Sequence, residues 1–222
     1  MVSILKNQKY QFIFSIILLA FGLLGIGLEI LRAIESGNFL GTLFVTFLYF
    51  TTQSNLLITI IALLFIFKKT TLKSFDALAF IALINITITG AIFHIILIPY
   101  MSQVDLIQHV LHTVNPLIYV MFYFLFLNRN IPINKFYLGL IYPLVFLVLV
   151  YTFIEPIFGN YIESIVVDFT SARYIYPFLD PRNYEHETLG LIGFNLGLLA
   201  PIITVVSYIL LFLKVKLSHI IH

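Results

Sequence analysis

The stretch LYFTTQSNLLI, Leu48 to Ile58, interrupts a run that otherwise reads as membrane helix. Thr51, Thr52, Gln53, Ser54 and Asn55 stand there in succession. At about 100° per residue they wrap a whole helix, so no rotation hides all of them from lipid. A lone membrane Thr usually bonds a carbonyl of its own helix, but Gln and Asn are costly in hydrocarbon without partners. The run therefore predicts a polar, partly hydrated cavity.

The flanking sequence supplies the membrane. Of 222 residues, 61% are hydrophobic and only 10% charged, and the mean hydropathy is +1.06. A soluble domain carries roughly 25% charged residues. Apolar runs of about 20 residues recur, each long enough to cross a bilayer core. This predicts an all-α, polytopic bundle of six transmembrane helices in a single domain, 1–222. The segments are roughly 10–31, 42–67, 76–98, 105–127, 136–155 and 188–213, with a cap loop at 156–187. The first is too long for a signal h-region and lacks a small-x-small cleavage pattern, so it reads as a retained helix. Cysteine is absent, which removes disulfides and thiol nucleophiles together. Abundant Ile, Phe, Lys and Asn suggest an AT-rich, bacterial genome.

Basic residues then set the orientation. With the N-terminus inside, Lys6, Lys9, Lys68, Lys69, Lys73, Arg129, Lys135, Lys214 and Lys216 are cytoplasmic. Only Arg32, Arg173 and Arg182 lie on the other side, a bias of nine to three. Both termini are expected in the cytoplasm of a multi-pass cell-membrane protein. The positive charge is used by topology, which leaves no basis for nucleic-acid binding.

Depth brings the polar groups together. At ~1.5 Å per residue, Thr51 lies about 14 Å below the outer end of segment two, and His109 and His112 about 6 and 10 Å below that of segment four. His94 is near the outer end of segment three, and Asn195 enters from segment six. His109, His112, Pro116, Tyr119 and Tyr123 share one helical stripe. Pro116 cannot donate to the His112 carbonyl, leaving a bare acceptor beside that imidazole. Two chemistries fit these residues. An imidazole within reach of a hydroxyl makes an activated nucleophile. Alternatively His94, His109 and His112 form a zinc set, although HxxH spacing alone is a weak signal. In the long loop, Tyr174, Tyr176 and Phe178 suit a membrane interface, and two prolines make a rigid turn that would bring Asp180 and Arg182 over the cavity mouth.

YFTTQSNLL on the second helix, HVLHTVNP on the fourth and YIYPFLD before the last together resemble the androgen-induced and androgen-dependent TFPI-regulating membrane proteins, especially their bacterial six-helix relatives. The resemblance spans nearly the whole chain. It implies a threonine hydrolase of fatty acid esters of hydroxy fatty acids, with His112 as base and His109 its upstream partner. Matching from the preceding aromatics makes Thr51 the nucleophile; matching from the following Asn and Leu makes it Thr52. Thr51 is preferred. Pro116 lies one position closer to the His than in the animal proteins, so fold and polar site carry over better than substrate.

On this reading Thr52, Gln53 or Asn55 donates to the oxyanion, with Ser54, Asn115, Tyr176 and His94 in support and Asp180 the acidic third member to test. No cofactor is implied. The partners are membrane lipids and an apolar ester entering from the outer leaflet. The competing classes are a zinc-dependent membrane hydrolase and a non-enzymatic transporter or lipid-binding bundle.

Overall fold

A computed structural model describes residues 8–101, 103–127, 131–166 and 172–221. Lys6, Arg129 and part of the expected cap loop lie outside these. The described residues form helices and connecting turns, without strands. The long helices are α1 (Gln8–Glu35), α2 (Phe39–Leu48), α3 (Phe50–Ile66), α4 (Phe75–Leu97), α5 (Leu106–Phe126), α6 (Ile133–Ile165) and α7 (Glu187–Leu217). Five of them are long and apolar enough to cross a bilayer, and the bent pair α2–α3 would make a sixth. The chain is thus an all-helical, multi-pass membrane protein.

α1 packs on α3 and α5; α3 packs on α4, and α4 on α5 and α6. Glycines allow the close contacts. A Cβ on Gly22 would lie 2.2 Å from Thr59 Oγ1, and one on Gly90 3.0 Å from the His112 carbonyl oxygen. Lys214 is buried and donates to the carbonyls of Tyr123 (2.8 Å), Phe124 (3.2 Å) and Leu127. It thereby satisfies the last turn of α5, whose carbonyls have no intrahelical donor.

Two helices differ from the sequence expectation. Segment 42–67 is not one helix: α2 and α3 meet at 77° around an extended Tyr49. Neither Pro nor Gly marks the break. Instead Gln53 reaches back to the carbonyls of Phe47 (2.9 Å) and Leu48 (3.3 Å) and accepts from the Tyr142 hydroxyl. Segment 136–155 continues unbroken to Ile165, so the expected loop begins about a helical stretch later.

The expected end at 155 falls just before Pro156, but the preceding turn widens to i→i+5 over Val150–Ile154 and carries the helix past that proline. A wide turn precedes a proline three more times. Wide turns at Phe93–Leu97, Val110–Val114 and Gly193–Leu199 each end two residues before a proline, Pro99, Pro116 and Pro201. Proline lacks an N–H and collides with the carbonyl four residues back; a wider turn swings that carbonyl aside.

Candidate active site

The helix break explains most of the polar run. It places Thr51 in the first turn of α3 instead of mid-helix. Amides there have no intrahelical acceptor and point along the positive end of the helix dipole. Ser54 donates to the Phe50 carbonyl at 2.7 Å. Asn55 donates to the Thr51 carbonyl (2.9 Å) and to that of Leu111 (3.2 Å), and accepts from Asn115 Nδ2 at 2.7 Å. The Leu111 carbonyl is freed by the wide turn before Pro116, so Asn55 answers a defect in the neighbouring helix. Thr52 lines the cavity described below.

Thr51 and His112 meet inside the bundle, 8% and 6% exposed. Thr51 Oγ1 is 3.1 Å from His112 Nε2, and His112 Nδ1 is 3.0 Å from the Gln108 carbonyl. A carbonyl only accepts, so Nδ1 carries the imidazole proton and Nε2 is the acceptor facing Thr51. Phe93 stacks on the ring at 4.0 Å between centroids and 16° between planes. Asp105 accepts from the Gln108 amide at 2.8 Å and holds Arg32 at 2.5 Å, which fixes the turn whose carbonyl orients His112.

Tyr176 closes the other side. Its hydroxyl accepts from the Thr51 amide at 3.3 Å and stands 3.4 Å from Thr51 Oγ1. Burial pushes the phenol up to about 12, so it keeps its proton at physiological pH and remains a donor. The preceding Ile175 has φ 71° and is fully buried, a left-handed conformation rare for a β-branched residue. That kink turns Tyr176 inward. The carbonyls that follow are held by side chains: Pro177 by Asn183 (2.7 Å), Phe178 by Tyr184 (2.7 Å) and Leu179 by Tyr151.

Several expected participants lie elsewhere. His109 is exposed, because the wide turn takes it off the stripe it would share with His112. His94 pairs with Thr113 at 2.9 Å. The three histidines do not converge, and among the described residues no group of three His, Asp or Glu is placed to hold a metal. Asp180 is fully buried, but it grips Arg182 at 2.9 Å and caps its own turn. Gln53, Ser54 and Asn55 spend their donors on backbone carbonyls, so none is aimed at an oxyanion. Gln108 and Phe93 were not singled out from sequence; a backbone carbonyl and a ring-stacking Phe carry no motif.

A cavity of about 490 Å³ opens beside Thr51 and His112. Glu29, Arg32, Asp105 and Gln108 give it a polar lining. A smaller, apolar cavity of about 80 Å³ lies between α4, α6 and α7. Thr51, Tyr176 and Leu97 line both.

No family model matches this chain, and no curated protein or solved structure matches it either.

Proposed function

We propose that the protein is an intramembrane lipid-ester hydrolase in which Thr51 is the nucleophile and His112 the general base. The observation that carries this is the directed relay from the Thr51 hydroxyl to His112 Nε2, with Nδ1–H held by the Gln108 carbonyl. In this reading the chain spans the cell membrane six times with both termini cytoplasmic, and the site faces the outer half. The sequence resemblance to the androgen-induced membrane hydrolases agrees, with fatty acid esters of hydroxy fatty acids as the first substrates to try.

The chemistry follows from the atoms. Thr51 Oγ attacks the ester carbonyl carbon as its proton passes to His112 Nε2. The oxyanion forms beside the Tyr176 hydroxyl and the first-turn amides of α3, such as that of Thr52. Collapse breaks the bond to the alkoxy oxygen, which takes the proton from Nε2 and leaves as alcohol. Water then attacks the acyl-threonine, giving its proton to Nε2. The second collapse releases the acid and returns the proton to Thr51 Oγ. A backbone carbonyl replaces the carboxylate of a full triad; it fixes the tautomer without adding negative charge.

The test is hydrolysis of long-chain acyl esters by purified protein in liposomes. Thr51→Ala and His112→Ala should each lower the rate by about 10²- to 10⁴-fold, the usual worth of nucleophile and base activation. Wild-type rates in either variant would remove both assignments.

A further inference from the structure

Resting on that hydrolase reading, we infer that the two cavities beside Thr51 sort the two arms of the ester. The acyl arm lies in the apolar slot between α4, α6 and α7, and the alcohol arm in the polar chamber.

Thr51 and Tyr176 stand on the partition, since both line both cavities. An ester whose carbonyl carbon meets Thr51 Oγ must send one arm each way. His112 decides which. It lines the polar chamber and not the slot. Because His112 must protonate the departing alkoxy oxygen, that oxygen lies on the chamber side. The acyl carbon chain is left to the slot.

The walls suit these occupants. The slot is bounded by Ile88, Ile92, Phe146 and Leu147, with Ala200 and Ile203 opposite. At about 80 Å³ it admits a narrow, unbranched chain. Leu144 at its edge is 40% exposed on the lipid-facing surface, so a longer tail passes out beside it into hydrocarbon. The chamber is about six times larger and carries Glu29, Arg32 and Asp105, which suits a bulky polar alcohol and its release into water. The substrate class is an ester of an unbranched fatty acid with an alcohol bearing polar or charged groups.

The experiment compares methylumbelliferyl butanoate with methylumbelliferyl hexadecanoate, which release the same fluorescent alcohol. It uses purified wild type, Ala200→Phe, Leu144→Trp, Thr46→Phe and Thr51→Ala. Ala200→Phe narrows the slot, and Leu144→Trp obstructs its edge at a site exposed enough to accept a larger side chain. In both, the hexadecanoate-to-butanoate ratio of kcat/KM should fall by about tenfold or more. Thr46→Phe, which intrudes on the chamber instead, should leave that ratio near the wild-type value. Thr51-dependent turnover with an unaltered ratio in both slot variants, or a ratio shifted by Thr46→Phe, overturns the assignment of arms while leaving the hydrolase intact. Wild-type turnover no greater than that of Thr51→Ala overturns the hydrolase reading, and the arm assignment with it.

Discussion

Tyr176 joins Thr51, the proposed nucleophile, to the loop after α6. Its hydroxyl meets both the amide and the hydroxyl of Thr51, so Tyr176→Phe removes one donor from the developing oxyanion while keeping the ring's packing. We expect kcat to fall by about 10²-fold, the cost of deleting one such donor, with the melting temperature in detergent little changed. Asn55 is the opposite case, a residue that ties two helices together in the middle of the polar run. Asn55→Leu leaves the Leu111 carbonyl without the Asn55 donor and strips the Asn115 amide of its shorter bond, leaving it only the Phe21 carbonyl at 3.4 Å. It should destabilise the protein by about 1–3 kcal/mol in chemical denaturation. Thr51 and His112 stood out in the sequence because polar groups are conspicuous in an apolar chain. The separate roles within the polar run did not, because Thr51, Ser54 and Asn55 differ only in what the neighbouring helices offer them.

Two helix irregularities bring Thr51 and His112 together. The break at Tyr49 sets Thr51 in a first turn, and the wide turn at Val110–Val114 points His112 inward while sending His109 out. A regular helix through 42–67 would have left the polar run half in lipid. Proline signals a disturbance in sequence but not its form: at Pro156 the helix runs on, carried past by the wide turn that precedes it. The α2–α3 break had no signal of that kind, since it rests on the long-range reach of Gln53 and Tyr142. Gly90 offers a test of the packing between α4 and α5. A larger side chain there would press on the His112 carbonyl and displace Phe93 from the imidazole. Gly90→Val should therefore cut turnover, and a loss of melting temperature would accompany it. Lys214→Met should lower stability by about 1–3 kcal/mol by stripping the last turn of α5 of its donor, with the Thr51–His112 pair untouched.

Across the molecule, composition alone made the membrane assignment legible, and charge distribution gave an orientation that the absence of cysteine makes simple to test. Glu185 and Lys73 are both exposed, in the α6–α7 and α3–α4 connections. Glu185→Cys should react with a membrane-impermeant maleimide on intact cells, and Lys73→Cys only after lysis. The reverse pattern would turn the bundle over. Packing among α1, α3, α4 and α5 was beyond reach of the sequence, because helices apolar on every side give no periodic face to orient. The polar residues were the exception, and their clustering by depth pointed to the region where Thr51 and His112 meet before any contact was known.

The most direct measurement is the site of covalent capture. Purified wild-type protein would be treated with a lipid-like fluorophosphonate and digested, and the modified peptide sequenced by mass spectrometry. A single adduct on Thr51 is expected, lost in His112→Ala because the hydroxyl no longer has a base, and still formed in Thr52→Ala. An adduct on Thr52, or none on folded wild type, would contradict it.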